Sequence, residues 1–215
     1  MVARKVFWLN IGFAGMEKYL QSCKTEFWKK VFKAELDYIL QELKGAKNVL
    51  SVGCGPAIIE AGLAENGFNI TALDISKEAL GCAPDTVRTV AGSAENMDFA
   101  DACYDAVIYV ASLQFIEKYK EAVKQTARVL KPAGKLLAML LNPQSQFFKE
   151  KIKSPTSYVS KIKHTDLREI ERTIAVYFSV QVEFFLGIKG QDIFETRNPN
   201  FASLYVITGK KKNSV

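Results

Sequence analysis

Histidine is almost missing from this chain, with one residue, His164, in 215. Cysteine is sparse and scattered: Cys23, Cys54, Cys82 and Cys103 form no C-x-x-C pair. A zinc site therefore has no ligand set, and a disulfide framework has no pattern. Isolated thiols suit a reducing compartment, so a cytoplasmic protein is expected. No apolar run approaches the roughly 20 residues needed to cross a bilayer. The stretch Val6 to Gly15 follows Arg4 and Lys5, but it is short and Asn10 interrupts it. It also lacks a small-x-small cleavage site, so it is not read as a secretory signal. Internal repeats, low-complexity segments and a break that would mark a second domain are all lacking. What remains is a chain that is 48% hydrophobic, which excludes a disordered protein and gives one domain a sizeable core.

Charge is unevenly spread. Residues 1–47 carry nine Lys/Arg against five Asp/Glu, a net +4. Residues 48–141 carry eight against eleven, a net −3, and residues 142–215 carry twelve against seven, a net +5. A mildly acidic centre thus sits between basic flanks. Lysine excess on exposed helices is ordinary, and the cluster Lys210, Lys211, Lys212 reads as a solvated tail.

The centre opens with NVLSVGCGPAIIEAGLAENGFNITALDI, from Asn48 to Ile75. Asn48 to Val52 has almost no polar alternation, the pattern of a parallel strand covered on both faces. Gly53 and Gly55 allow a sharp turn and a close backbone approach to a ligand. Pro56 suits a first helical position, Ala57 to Asn66 reads as the helix, and Gly67 as its cap. A second strand runs from Phe68 to Leu73, and Asp74 follows it.

Upstream, Lys24 to Leu43 reads as an amphipathic helix with Trp28, Phe32, Leu36, Ile39 and Leu43 on one stripe, ended by Gly45. Downstream come a short helix at Lys77 to Gly81, a strand at Thr86 to Ala91 and a polar loop from Gly92 to Asp101. A strand at Asp105 to Val110, a helix at Glu117 to Leu130, a turn at Lys131 to Gly134 and a strand at Lys135 to Leu141 follow. Alternating strands and helices imply a doubly wound, Rossmann-like α/β fold with a mostly parallel sheet and helices on both faces. Asn142 to Lys163, with Pro143, Pro155 and several Ser and Lys, reads as an irregular excursion or lid. A helix at Thr165 to Ile174, capped by Thr165 or Asp166, precedes β stretches at Val180 to Ile188 and Ala202 to Thr208. These two should form a C-terminal antiparallel hairpin. The expected plan is one domain: a helical cap over 1–47, a cofactor-binding core over 48–141, and a lid, helix and hairpin over 142–215.

The glycine turn discriminates between ligands. A nicotinamide-binding turn needs G-x-G-x-x-G so that the helix can approach a pyrophosphate, and Ile58 stands where the third glycine belongs. Asp74 lies at the carboxyl end of the second strand, where a carboxylate can accept from both hydroxyls of a ribose.

In order and spacing, VLSVGCGPA, LDIS, GSAENMDFADACYDAVIYVASLQFI and ARVLKPAGKLLAML together resemble a class I S-adenosyl-L-methionine-dependent methyltransferase. The likeness is to the small-molecule, ubiquinone/menaquinone-pathway (type 11) group, and it covers about Lys47 to Leu141. It implies that Gly53, Cys54 and Gly55 pass close to the methionine part and sugar of S-adenosyl-L-methionine. It further implies that Asp74 holds the ribose and that Ile75 packs on the adenine. Ser93, Ala94 and Glu95 would lie at the adenine edge. Val110 and Ala111 would offer backbone to the methionine ammonium, and Gln114 would border the transfer site. Three positions depart from the family pattern. An acid is usual where Ser51 stands, glycine where Ala57 stands, and often aspartate where Ser93 stands. These departures keep open a non-catalytic protein that binds S-adenosylmethionine or S-adenosylhomocysteine as a regulator.

Methyl transfer from a sulfonium demands mainly alignment, and a base only if the acceptor must lose a proton. No base stands out: His164 precedes a helix, Tyr109 reads as core, and Cys54 as a small packing residue. Eight of 24 aromatic residues fall in 1–47, ten in 142–215 and six in the centre. That distribution points to an acceptor pocket built from the flanks by Phe7, Trp8, Tyr19, Phe27, Trp28, Phe147, Phe148 and Tyr158. The expected acceptor is a small apolar or anionic molecule. RNA is disfavoured, because ASLQ ends the fourth strand in place of a Pro-Pro-Tyr-type motif and no RNA-binding module is appended.

Overall fold

Val49, Leu50, Ser51 and Val52 are all buried, so β1 (Asn48–Val52) has to lie inside a sheet covered on both faces. The computed structural model, which describes residues 20–213, places it there. Leu50 lies opposite Thr71 of β2 (Asn69–Asp74) and Val107 of β4 (Tyr104–Val110), both parallel. Outside these lie β3 (Arg88–Ala91) and β5 (Leu130–Leu141). Beyond β5 come three antiparallel strands: β8 (Ala202–Lys211), β6 (Phe178–Lys189) and β7 (Asp192–Phe194). The order is β3-β2-β1-β4-β5-β8-β6-β7. The doubly wound, mostly parallel expectation and its C-terminal hairpin are borne out; β7, a short return across Gly190, was not foreseen.

Two cores fill the two faces. α1 (Glu26–Glu42), α2 (Ile58–Glu65) and α5 (Gln146–Lys151) pack through Val31, Ile39, Ile59, Leu63 and Phe148 on the face that Val49 joins. α4 (Tyr119–Val129) and α6 (Leu167–Tyr177) pack on the face that Leu50 and Val52 join. The short α3 (Lys77–Leu80) links β2 to β3, with Ser76 as its cap. Strand alternation therefore aims Ser51 at α1 and α2.

α1 starts where Thr25 accepts from the Trp28 N–H and stops before Gly45, whose φ is +85°. Its most buried row is Val31, Glu35, Ile39 and then Leu43, while Trp28, Phe32 and Leu36 flank it half-buried. The sequence stripe was thus one step round from the true one, and the true one carries a glutamate. Gly62 sets the fit: a Cβ there would lie 2.5 Å from Leu36 Cδ2, so the bare backbone of α2 seats that leucine.

Boundaries differ locally. α2 begins at Ile58, with Ala57 as a left-handed N-cap at φ 57°, so Pro56 precedes the cap. Gly67, φ +84°, takes the expected place just past the helix. Lys131 to Gly134 is an irregular stretch inside β5, because Ala133 at φ 57° shifts the register against β4. Residues 142–163 hold a short helix and a 3-10 turn, Tyr158–Lys161, pinned where Asn142 Nδ2 donates to Pro199 and Ala202 carbonyls. Lys210 and Lys211 belong to β8. Lys211 Nζ donates to the Leu130 carbonyl and Lys212 Nζ to that of Ala175, so this cluster is tied to β5 and α6 and is no loose tail. Among the described residues no helix is long and apolar enough to cross a membrane.

Candidate active site

Beside β1 the chain order reverses, with β2 on one side and β4 on the other. Such a switch point opens a crevice beyond the carboxyl ends of the strands. A cavity of about 270 Å³ lies there. Gly53 to Gly55, Asp74 and Ile75, Gly92 to Glu95, and Val110 to Ser112 line one part of it, and α1, Phe115, Phe147 and Tyr158 another.

Gly53 has φ +73°, and a Cβ on it would fall 2.6 Å from Ser112 Cβ. Its freedom thus serves the approach of β4's end, where Ser112 Oγ donates to the Val52 carbonyl at 2.6 Å. Gly55, also left-handed, donates its N–H to Asp74 Oδ2 at 2.8 Å, while Asp74 Oδ1 accepts from the Ser76 N–H at 2.8 Å. Burial pushes the Asp74 carboxyl up, and these backbone donors oppose the shift. Ile75 is exposed beside it, an apolar surface at the mouth. Ser93 Oγ accepts from the Glu95 N–H, and Glu95 Oε1 from the Lys118 N–H at the start of α4, which fixes this loop against the helix. Ala111 is held at φ 47°, its N–H bound to the Met139 carbonyl.

Ten of the eleven expected cofactor residues therefore line one cavity: Gly53, Cys54, Gly55, Asp74, Ile75, Ser93, Ala94, Glu95, Val110 and Ala111. Gln114 does not. It is fully buried, its Nε2 donating to the Leu141 and His164 carbonyls and its Oε1 accepting from the Leu141 N–H, so its amide is spent on stapling the end of β5. His164 is likewise structural, with Nε2 within 2.9 Å of the Ile116 carbonyl and its ring against Tyr119. Burial, then Glu60 and Asp74, push the Cys54 thiol far up, which removes any nucleophilic role. Of the expected acceptor residues, Trp28, Phe147 and Tyr158 line the cavity; Phe27 and Phe148 do not; Phe7, Trp8 and Tyr19 lie outside the described residues.

The cavity also holds a pair of acids that motif reading passed over. Glu60 on α2 is 2% exposed and accepts from Ser51 Oγ at 2.5 Å. Glu35 on α1 is 6% exposed and has no hydrogen-bond partner among the described residues. Burial raises the Glu60 carboxyl to about 7, against the Ser51 bond, and burial with the nearby Glu60 raises Glu35 to about 8. Ser203 on β8, 1% exposed, also lines the cavity with its hydroxyl unpartnered. A glutamate on an otherwise apolar helical row was the only sequence signal for Glu35. Among the described residues no group of His, Cys, Asp and Glu is arranged to hold a metal.

Known proteins agree with this geometry. Residues 50–138 match the family model described as a methyltransferase domain. The chain is 34% identical over 110 residues to the demethylmenaquinone methyltransferase of Corynebacterium glutamicum, covering 51% of this chain and 46% of the relative. It is 31% identical over 125 residues to the ubiquinone biosynthesis O-methyltransferase of Alkalilimnicola ehrlichii, covering 53% and 51%. The chain spans about half the length of these curated relatives. A solved structure from Thermotoga maritima, described as a SAM-dependent methyltransferase and possible histamine N-methyltransferase, superposes with a TM-score of 0.78 at 18% identity over 95% of this chain and 99% of that one. At that identity the likeness shows the fold. The family implies S-adenosyl-L-methionine as cofactor.

The three positions that depart from the family pattern have local explanations. Ala57 occupies a left-handed position, which is why glycine is favoured there, and costs about 1–2 kcal/mol of strain. At Ser51, where the acid is missing, the neighbouring helix brings a carboxyl alongside: the Ser51 hydroxyl donates to Glu60. Ser93 keeps an acceptor at the adenine-type loop, engaged with its own turn.

Proposed function

We propose that this protein is an S-adenosyl-L-methionine-dependent methyltransferase acting on a small molecule. In this reading residues 48–141 hold the cofactor, and residues 1–47 and 142–215 build the acceptor side of a single domain. The observation that carries it is the convergence of the glycine turn, the end of β2 and the loop after β3 on one cavity. The bound cofactor supplies an electrophilic methyl group. The chain supplies position. Gly53 and Gly55 give bare backbone to the methionine part and sugar, with Cys54 packed between them. Asp74 accepts from the ribose hydroxyls with the lone pairs left by Gly55 and Ser76. Ile75 covers the adenine, and Ser93, Ala94 and Glu95 meet its edge. Backbone at Val110 and Ala111, with the Glu60 carboxyl held by Ser51, faces the cofactor's ammonium. Alignment of this kind supplies several kcal/mol of the barrier.

Two other readings weaken on specific observations. Ile58 lines the cavity at the first position of α2, where a dinucleotide's pyrophosphate needs glycine. Among the described residues the lining contains Glu35, Glu60, Asp74, Glu95 and Glu117 and neither Lys nor Arg, an unsuitable surface for a nucleic acid. The names of the quinone-pathway relatives support a small acceptor.

Incubation with methyl-labelled S-adenosylmethionine and a panel of hydroxyaromatic and amine acceptors tests the activity. Label should appear on an acceptor as S-adenosylhomocysteine accumulates. Tight cofactor binding with no transfer to any acceptor would favour the regulatory reading.

A further inference from the structure

The acceptor end of the cavity has a definite chemical character. Its aromatic wall is Trp28, Phe32, Phe115, Phe147 and Tyr158. Trp28 stacks on Phe32 at 5.7 Å and meets Phe147 edge-on at 6.5 Å, while Phe115 stacks with Tyr158 at 6.5 Å. Set among these rings, Glu35 is 94% buried by its 6% exposure, lines the cavity and has no hydrogen-bond partner among the described residues. Ser203 Oγ, independently, is buried in the same lining with no partner. Ser203 Oγ is thus a buried polar atom left unmet among the described residues, and Glu35 lines the same cavity with a carboxyl free to meet a ligand. A carboxyl and a hydroxyl that share a cavity lining with five aromatic rings fit one class of guest: a cation that can also donate hydrogen bonds.

We propose that the acceptor is a small apolar amine, bound as its ammonium ion between Glu35 and the aromatic wall, with Ser203 accepting a second hydrogen bond. The proposal rests on the methyltransferase reading and narrows its acceptor to nitrogen. It departs from the sequence expectation of an apolar or anionic acceptor in its charge: among the described residues no Lys, Arg or His in the lining would neutralise an anion. Glu60 is committed to Ser51 on the cofactor side, which leaves Glu35 for the acceptor. Burial favours the protonated form of both carboxyls, and the nearby Glu60 adds to the rise at Glu35. An arriving ammonium displaces the Glu35 proton to solvent and leaves a carboxylate facing it. For transfer, one ammonium proton passes to the Glu35 carboxylate. The freed nitrogen lone pair then forms the bond to the methyl carbon as the carbon–sulfur bond breaks and its electron pair stays on sulfur. Sulfur ends as a neutral thioether, the product nitrogen carries the positive charge, and the proton on Glu35 leaves to water.

Three probes of one shape test this: 2-phenylethylamine, 2-phenylethanol and phenylacetate, titrated calorimetrically into the full chain with and without S-adenosylhomocysteine. The amine should bind roughly tenfold or more tighter than the alcohol, and the carboxylate should not bind. Glu35→Gln should abolish the amine's advantage and leave the alcohol unchanged. The wild-type comparison stands without any variant. Amine and alcohol binding equally, carboxylate binding best, no binding by the amine, or an amine preference that survives Glu35→Gln would each overturn the proposal. If S-adenosylhomocysteine fails to bind while the amine preference holds, the methyltransferase reading fails and the ammonium site stands. If S-adenosylhomocysteine binds and the preference is missing, only the ammonium site fails.

Discussion

Asp74 serves two partners with one carboxylate. It ties the glycine turn to the end of β2 through Gly55 and Ser76, and in the proposed function it also receives a ribose. Replacing it removes both. Asp74→Ala should lower S-adenosylhomocysteine affinity at least tenfold, a loss of about 1.4 kcal/mol or more. It should also destabilise the chain by about 1–3 kcal/mol by leaving buried backbone donors unmet; calorimetry and urea melts read the two effects separately. Glu35 gives a pH signature. Its folded-state carboxyl is raised to about 8 by burial and by Glu60, from an ordinary value of 4.5. Below about 4.5 it is protonated in both states and contributes no pH dependence. Between about 5 and 8 the unfolded chain has lost this proton and the folded chain keeps it, so stability falls as pH rises, by up to about 1.4 kcal/mol per pH unit. Glu60, Asp74, Cys54 and Tyr158 share the surroundings, so the clean readout is a difference. The stability gain of Glu35→Gln over the wild type should be small at pH 5 and grow towards pH 8. A gain that does not change with pH would show that Glu35 is charged in the folded, cofactor-free protein.

At the level of elements, the cavity depends on how closely α1 approaches α2. Gly62 makes that approach possible by seating Leu36. Gly62→Val should force the helices apart, cost about 1–3 kcal/mol by overpacking, and weaken acceptor binding more than cofactor binding. Urea melts and paired titrations would check it. The elements themselves were largely legible, because their signals are local. The apolar run of β1, the glycines after it, Asp74 at the end of β2 and the capping residue Asp166 each announce themselves within a few residues. The site was legible where a motif carried it, at Gly53, Gly55, Asp74 and Ser93. It was not legible where long-range packing made it. Glu35 and Glu60 meet only because two helices cross at Gly62, and no local pattern encodes that meeting. Gln114 shows the reverse: its motif position suggested the cavity, yet the end of β5 and the His164 segment consumed its amide. Lys211 and Lys212 looked like a tail because a lysine run is solvated by default, and only the sheet reveals carbonyls within their reach.

Across the whole molecule, the proposed function puts the cofactor on the parallel half of the sheet and the acceptor beside the antiparallel half, which supplies Ser203, Leu186 and Ile188 to the lining. One cavity joins the two halves, so a ligand filling it should stabilise the domain as a unit. S-adenosylhomocysteine at a hundred times its Kd should add about 2.7 kcal/mol and raise the Tm by roughly 5–10 °C, read by differential scanning fluorimetry. Among the described residues the lysines and arginines of the flanks lie outside this lining. The most direct test of the central claim is isothermal calorimetry of the full chain with S-adenosylmethionine, S-adenosylhomocysteine and NADH. Saturable micromolar binding of the first two and none of the third is the expected result, whereas saturation by NADH with no heat from either sulfur compound would contradict it.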